Sequence, residues 1–193
     1  GGLDLLDAVA ERAAVIPSQR ICDHRGDLLA DIDLAAVWGE VGPCLALHRA
    51  DLHQILASHG EPVPVRMGLS VRQLHQYDGS VTAGFDDGTT ASYDLVIGAD
   101  GVHSTVRRLV LGVDTVRPVG QLAWRFVTEC PPTLTTWTVM LGREITFLAV
   151  PIGDGRVYCY CDIPAKAFRP SQEDKPTQHL AELLSGFGAP VPA

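Results

Sequence analysis

The stretch DLVIGADGVHSTVRR, residues 94–108, decides the expected fold, because an apolar run passes through small residues to a carboxylate. The run LVIGAD is typical of a buried parallel strand whose carboxyl end opens into a crevice, which predicts Asp100 at the lip of that strand. Ser104 precedes a helix-forming segment and is expected to cap a helix whose positive end attracts anions. Gly98 and Gly101 let another backbone or a ligand approach closely.

The same residues also fit a plain strand, turn and helix. In that interpretation Asp100 accepts backbone hydrogen bonds within the turn, and Arg107 is a solvated helix residue. Short glycine-rich motifs often match by chance, so the spacing alone leaves both interpretations open.

Composition places the chain among ordinary globular proteins. Of its 193 residues, 46% are hydrophobic and 20% are charged, with a formal net charge of −8. This acidic balance disfavours nucleic acid or an anionic membrane as a partner, and no apolar run reaches the roughly 18 residues of a membrane span. Five cysteines without a Cys-x-x-Cys pair predict reduced thiols and a cytoplasmic location, and the histidine spacing predicts no metal site.

Hydrophobic periodicity predicts helices near both ends and one in between. LDLLDAVAERAA, with Leu3, Leu6 and Val9 at helical spacing, predicts a short helix that ends by Pro17. HRADLHQILASHG predicts a second helix that stops at Gly60, and DKPTQHLAELLSGFG predicts a third with Leu180, Leu183 and Leu184 on one face.

The remaining segments are typical of β-strands. RICDHRGDLLADID predicts two strands around a turn at 25–27, and Asp87-Gly88 predicts a hairpin turn between later strands. Four β-rich runs after residue 115 are separated by Pro or Gly turns, as in an antiparallel sheet: GQLAWRFVTE, TTWTVML, EITFLAVP and GRVYCYCD. The chain as a whole is therefore expected to be mixed α/β.

The segment from Val96 to Arg107 resembles the Asp-Gly motif of the flavoprotein aromatic hydroxylases, the single-component group typified by para-hydroxybenzoate and salicylate hydroxylases. That motif runs through two hydrophobic and two small residues to Asp-Gly, and then to Ser, a hydrophobic residue and Arg. The resemblance implies that the matching residues help to bind FAD and take part in the use of NAD(P)H: Asp100, Gly101, Ser104 and Arg107.

Two other segments are similar to the same family. HRADLHQILA resembles a segment in which an arginine at the head of a helix contacts the flavin, which implies this role for Arg49. GLSVRQL resembles the extended segment in which a backbone group meets the adenine portion, which implies Val71. The resemblance covers most of residues 40–111 and, more loosely, the β-rich half after them.

The resemblance implies an organisation in two parts. Residues 1–114 correspond to a partial, Rossmann-like FAD-binding domain with an inserted β-segment near 20–40, and residues 115–193 to an antiparallel substrate-domain sheet with a C-terminal helix. Trp124 and Arg125 are the predicted substrate-binding residues. They face opposite ways on a strand, so only one can look into a cavity over the flavin, and a core Trp124 with a solvated Arg125 is the alternative.

The implied function is an FAD-dependent monooxygenase that hydroxylates an aromatic or planar heterocyclic substrate with NAD(P)H and O2. The cofactor supplies the chemistry, while the protein orients the substrate and excludes water. No catalytic base is singled out by spacing, and no nucleophile elbow or Ser-His-Asp order favours hydrolysis. The alternative is a non-catalytic ligand-binding or remnant domain of the same fold, and neither the substrate nor the oligomeric state follows from the sequence.

The family's Gly-x-Gly-x-x-Gly turn and its later Gly-Asp motif are absent from these residues. Both help to hold the FAD pyrophosphate, so the chain is expected to be the middle of a flavin hydroxylase. Each missing backbone hydrogen bond is worth about 0.5 to 1.5 kcal/mol net. We therefore predict that the isolated 193-residue chain loses FAD on desalting, and a purified chain that stays yellow would contradict this expectation.

Overall fold

The computed structural model describes residues 4–59, 63–113, 116–168 and 176–191. Its helices are α1 (Leu6–Ala10), α2 (Leu34–Trp38), α3 (Arg49–Ser58), α4 (Thr105–Leu111) and α5 (Pro176–Leu184), with a 3-10 turn at Ala165–Ala167. Its strands are β1 (Ala14–Val15), β2 (Ser18–Asp23), β3 (Leu28–Asp33), β4 (Leu45–Ala46), β5 (Val71–Tyr77), β6 (Ser80–Phe85), β7 (Thr90–Tyr93), β8 (Gln121–Glu129), β9 (Trp137–Gly142), β10 (Ile145–Pro151) and β11 (Arg156–Pro164).

The largest sheet has six strands in the order β3-β2-β9-β10-β11-β8. The predicted antiparallel sheet after residue 115 is confirmed by the pairs β9–β10, β10–β11 and β11–β8. The two predicted strands around the turn at 25–27 are confirmed as β2 and β3, which join this sheet through a parallel pairing of β2 with β9.

Side-chain alternation gives this sheet two different faces. In β11 the residues Val157, Cys159 and Cys161 are buried, whereas Tyr158 and Tyr160 between them are half-buried. The buried set lies on the core face, together with Met140 of β9, Phe147 and Ala149 of β10, and Leu184 of α5. A strand of period two therefore assigns its cysteines to the core and its tyrosines to the other face.

A separate three-stranded antiparallel sheet has the order β5-β6-β7. The predicted Asp87-Gly88 turn joins β6 to β7, since Gly88 adopts a φ of +82° and its N–H donates to the carbonyl of Phe85 over 3.1 Å. A positive φ at this position is what glycine supplies without steric cost.

The chain forms two compact units, one of residues 1–61 with 120–193 and one of residues 62–119. The six-stranded sheet with α1, α3 and α5 belongs to the first, and the three-stranded sheet with α4 to the second. These units differ from the two functional parts expected from the sequence, which meet after residue 114. The difference arises because the β2–β3 hairpin pairs with β9 and so belongs to the larger sheet. The assignment of the two functional parts stays a prediction, and residues 114 and 115 lie outside the described residues.

The predicted buried parallel strand LVIGAD is wrong for this chain. Residues 94–100 have no strand assignment, and Leu95 and Ile97 are 72% and 79% exposed. A parallel strand needs hydrogen-bonded neighbours, and none of the described strands pairs with this segment. The segment is apolar enough to be buried, but burial also requires adjacent strands, and the local sequence does not show whether these are present.

The predicted helices are found with shifted ends. The first is shorter than expected, since α1 ends at Ala10 and β1 begins at Ala14. α3 and α5 confirm the other two, with Ile55 buried in α3 and Leu184 buried in α5. Leu3 and the stop at Gly60 lie outside the described residues.

The mixed α/β fold is confirmed, with antiparallel sheets as its main elements. Among the described residues, no helix combines the length and apolar character needed to cross a bilayer.

The burial of the cysteines predicts their reactivity. Burial raises the pKa of both Cys159 and Cys161 to about 11, and both side chains lack solvent contact. Because the thiolate is the nucleophile, we expect both to resist iodoacetamide at pH 8 until the protein unfolds, while the half-buried Cys44 reacts first. Mass spectrometry of timed alkylation checks this order, with Cys44→Ser as the control that removes the fast step. Fast labelling of Cys159 in folded protein would show that the core opens readily.

Candidate functional site

The Asp-Gly turn is organised around the carboxylate of Asp100. Its Oδ1 accepts from the hydroxyl of Ser104, and its Oδ2 accepts from the backbone N–H groups of Thr105 at 2.7 Å and Val106 at 3.0 Å. Ser104 is the residue before α4, and its Oγ accepts from the N–H of Arg107 at 2.9 Å. Asp100 and Ser104 therefore cap α4 together, and the Ser104 cap predicted from the sequence is present.

This network changes what the end of α4 can do. Three backbone N–H groups of its first turn already donate to Asp100 or Ser104. They are not available to an external anion in this conformation, although the sequence predicted an anion-attracting helix end. The hydrogen bond from Ser104 and those from the backbone lower the pKa of Asp100 to about 2, so the carboxylate is ionised at neutral pH.

Two glycines of the motif have distinct reasons to be glycine. A Cβ on Gly98 would lie 2.7 Å from a methyl group of Val106, so Gly98 permits close packing against α4. Gly101 has a φ of +80°, and no atom lies within 4 Å of where its Cβ would stand. The backbone of Gly101 is therefore open to a ligand on that side.

The side chain of Arg107 folds back on the turn. Its Nη2 donates to the carbonyl of Val102 over 2.8 Å. The structure thus brings together four predicted site residues in one local network, Asp100, Gly101, Ser104 and Arg107, and it does so by contacts that stabilise the turn itself.

Arg49 is the first residue of α3 and is exposed. His48 precedes it as the helix cap, and its Nδ1 accepts from the N–H of Ala50 at 3.3 Å. A cation in the first turn faces the positive end of the helix dipole, which is unfavourable without an anionic partner. No ion pair within the described residues involves Arg49, so its guanidinium fits an external anionic or electron-rich ligand.

Asp51, two residues later, is anchored to the β10–β11 turn. Its Oδ2 accepts from Nη2 of Arg156 at 2.5 Å, and this hydrogen bond lowers the pKa of Asp51. The same guanidinium nitrogen donates to Asp154 at 3.0 Å. No local sequence pattern indicates this ion pair, because the two residues lie 105 positions apart.

Val71 begins β5 and is half-buried. It lines an apolar cavity of about 240 Å³, whose walls are formed by Val71, Ala83, Phe85, Tyr93, Leu95 and Val96. The side chain therefore faces apolar surroundings, while the predicted contact of Val71 with adenine concerns its backbone and stays a prediction.

Trp124 and Arg125 point to opposite faces of the large sheet, as their positions in β8 require. Trp124 packs against the core and stands 5.8 Å from the ring of Phe168 and 6.0 Å from that of His179, measured between centroids. Arg125 is exposed on the other face, with its Cζ 5.0 Å above the centre of the Tyr160 ring. Of the two, Arg125 is the one that can meet a ligand on the non-core face.

We call this non-core face the tyrosine face and define it by Arg125, Val127, Leu148, Tyr158 and Tyr160. Register joins them, because Tyr160 pairs with Arg125 and Leu148, and Tyr158 pairs with Val127. Burial, reinforced by Asp162, raises the pKa of Tyr160, so its phenol stays protonated, with the carboxylate of Asp162 as its hydrogen-bond partner. Asp162 follows Tyr160 on the same side of β11, so the face combines aromatic rings, the cation of Arg125, a carboxylate and aliphatic side chains. Its rings and its cation suit a planar ring.

Trp137 is a further residue that the sequence analysis missed. It precedes Thr138, a core-face residue, so its side chain lies on the opposite side of β9. Its Nε1–H is buried and has no hydrogen-bond partner among the described residues. Because buried donors are normally satisfied, this N–H is a candidate contact for a polar ligand atom. Its only sequence signal was the alternation of β9.

Comparison with known proteins shows which class of enzymes this chain is similar to. No family model matches the chain. It is 30% identical to an FAD-dependent urate hydroxylase of Klebsiella pneumoniae over 86% of this chain and 44% of that protein. It is 32% identical to a 3-amino-4-hydroxybenzoate 2-monooxygenase of Streptomyces cremeus over 97% of this chain and 48% of that protein.

Solved structures agree. HpxO of Klebsiella pneumoniae complexed with FAD and uric acid matches with a TM-score of 0.81 and 28% identity, over 95% of this chain and 49% of that one. The FAD complex of its R204Q variant gives a TM-score of 0.82. PqsL of Pseudomonas aeruginosa, at 20% identity and a TM-score of 0.76, shares the fold.

The homologues of this chain are therefore FAD-dependent monooxygenases, and the resemblance to flavoprotein hydroxylases is confirmed. The chain spans about half the length of the curated relatives that it matches.

The pKa of Asp100 makes a pH prediction. A folded-state pKa of about 2, below the ordinary value of 3.8, means that ionised Asp100 stabilises the fold above pH 4 and that this contribution disappears as the pH falls towards 2. We expect Asp100→Asn to lower the thermal midpoint at pH 6 and to converge with the wild type near pH 2. Midpoints measured by circular dichroism from pH 6 to 2 check this, and a constant difference across that range would contradict the capping role.

Proposed function

We propose that this protein acts as an FAD-dependent monooxygenase that hydroxylates an aromatic or planar heterocyclic substrate with NAD(P)H and O2. The observation that carries the proposal is the backbone agreement with FAD-bound HpxO, a TM-score of 0.82 over 95% of this chain. The Asp-Gly turn and the arginine at the head of α3 support it at the level of residues.

FAD is proposed to contact the chain in three places. The open backbone at Gly101 admits a ligand beside the turn that Asp100, Ser104 and Arg107 hold rigid. Arg49 offers an exposed cation whose charge is unfavourable at the start of α3 unless an electron-rich group faces it. Val71 offers its backbone to the adenine portion.

These residues fit the cofactor in part. The open side of Gly101 suits it, and so does Arg49, which forms no ion pair with any described residue, whereas the first N–H groups of α4 are already used by Asp100 and Ser104. Contacts with FAD at this turn are therefore proposed through the backbone around Gly101. When bound, the flavin would accept a hydride from NAD(P)H and pass one oxygen atom of O2 to the substrate, while the other oxygen atom leaves as water.

The substrate is proposed to lie against the tyrosine face. Arg125 over Tyr160 offers a cation and a ring to a planar, electron-rich or anionic molecule. Trp124 is proposed to support this strand from the core side through its contacts with Phe168 and His179. Uric acid, found in the HpxO complex, and hydroxybenzoates, named for the Streptomyces relative, are the first ring systems to test.

NAD(P)H as the reductant and a cytoplasmic location belong to the same proposal. Five free cysteines, three of them buried in the core, suit a reducing compartment.

Flavin affinity tests the role of Arg49. With the protein expressed from its complete reading frame, we expect Arg49→Gln to weaken FAD binding about tenfold, because the neutral amide keeps the size of the contact but loses its charge. Flavin fluorescence titration measures the Kd. Arg143→Gln is the matched control, since Arg143 is exposed in the β9–β10 turn outside the proposed site. Equal affinities for both variants and wild type would remove Arg49 from the site.

Oxygen incorporation tests the reaction. We expect uric acid or a hydroxybenzoate to accelerate NAD(P)H oxidation, and mass spectrometry with labelled O2 to show one added oxygen in the product. Flavin binding without oxygen transfer to any ring would point to other flavin chemistry. A protein from the complete reading frame that binds no flavin would support the non-catalytic alternative.

A further inference from the structure

The ion pair between Asp51 and Arg156 ties α3 to the tip of the β10–β11 hairpin. Nη2 of Arg156 donates to Oδ2 of Asp51 at 2.5 Å. The Asp51 side chain is 15% exposed and that of Arg156 31%, so the pair is largely shielded from water. Shielded charge pairs are screened by salt less than surface ones.

The hairpin tip just before Arg156 has an unusual backbone conformation. Gly153, Asp154 and Gly155 adopt positive φ values of 82°, 51° and 65° in succession. A Cβ on Gly153 would lie 2.0 Å from the carbonyl oxygen of Arg12, so the tip packs directly on the backbone at the end of α1. A side chain at Gly153 would therefore require the tip or the backbone at Arg12 to move.

A second contact links the same region to α3. Nη1 of Arg12 donates to Oε1 of Gln54 in α3 at 3.2 Å. The helix is thus held from the hairpin at Asp51 in its first turn and from the Arg12 segment one turn later. Of the two contacts, the ion pair is the closer to Arg49.

Arg49 and Asp51 belong to the same helical turn. With a rise of about 1.5 Å per residue, their Cα atoms are only two steps apart along a stiff backbone. Whatever fixes Asp51 therefore fixes the backbone from which the exposed Arg49 side chain extends.

We propose that Arg156 is a positioning residue for cofactor binding: it holds Asp51, and through it the first turn of α3, so that Arg49 meets the flavin nucleotide in one orientation. The inference rests on the proposed function, since Arg49 must bind FAD for its position to matter. Arg156 itself need not touch the ligand.

A purely stabilising role explains the ion pair of Asp51 with Arg156 less well than the positioning role does. The guanidinium has a second carboxylate partner in Asp154, 63% exposed, within its own turn, so the hairpin keeps an ion pair without α3. The Nε–H of Arg156 is buried and has no partner among the described residues, which is unfavourable for a purely stabilising contact. What Asp51 adds is the connection to the helix that carries Arg49.

The chain offers a matched pair of variants. Asp51→Asn and Asp154→Asn each remove one charged partner of the same guanidinium with little change of size, and only Asp51 lies on α3. In protein from the complete reading frame, we expect Asp51→Asn to raise the Kd for FAD about fivefold to tenfold and Asp154→Asn to change it less than about twofold. Arg156→Lys, which keeps the charge, should fall between them.

A double-mutant cycle separates positioning from stability. If Asp51 and Arg156 act through Arg49, then Asp51→Asn should raise the Kd for FAD in the wild type but not in the Arg49→Gln background, with thermal midpoints measured for each. An equal loss in both backgrounds, or a loss for Asp154→Asn as large as for Asp51→Asn, would overturn the proposal. An Arg49→Gln variant that binds FAD normally would instead remove Arg49 from the proposed cofactor site, and a wild-type protein that binds no flavin would contradict the proposed function, so these failures are distinguishable.

Discussion

The strict alternation of β11 is the constraint on which the larger unit depends. Between Val157 and Ile163 every second residue is buried, and the register with β10 and β8 extends this division across the sheet. A slip of one residue would move the cysteines outward and bring the tyrosines into the core. Because Phe147, Met140 and the buried residues of β11 occupy the core side, the alternate residues must lie on the tyrosine face, which we propose binds the substrate.

In the smaller unit, the Asp-Gly turn depends on a different interaction, in which the carboxylate of Asp100 accepts three hydrogen bonds. Its carboxylate joins the hydroxyl of Ser104 and two backbone N–H groups of α4 in one turn. This is the structural role that the sequence left open beside the ligand-binding one. The two roles are compatible, because a carboxylate that holds the turn leaves the backbone of Gly101 in a fixed and open position.

Local patterns predicted most elements of the fold and the residues of the Asp-Gly turn. The hairpin at Asp87-Gly88, the helix α3 and the four strands after residue 120 follow from turn chemistry and periodicity, which are properties of neighbouring residues. What failed depended on distant residues. LVIGAD is apolar enough for a buried strand, but Leu95 and Ile97 are exposed because no described strand pairs with that segment.

The site was predictable to the same extent. Spacing showed that Trp124 and Arg125 face opposite ways, but only the register showed that Arg125 stacks on Tyr160 while Trp124 faces the core. The ion pair of Asp51 with Arg156 had no sequence signal at all, since it joins residues 105 positions apart. Long-range pairs of this kind are set by the packing of whole elements, which a single sequence does not encode visibly.

A crystal structure of the protein from its complete reading frame, grown with FAD and a ring substrate, tests the central claim most directly. We expect flavin density beside Arg49 and beside the open side of Gly101, and substrate density against Arg125 and Tyr160 on the tyrosine face. Density for the flavin with the ring substrate held elsewhere, or with Arg49 turned away from the flavin, would contradict it.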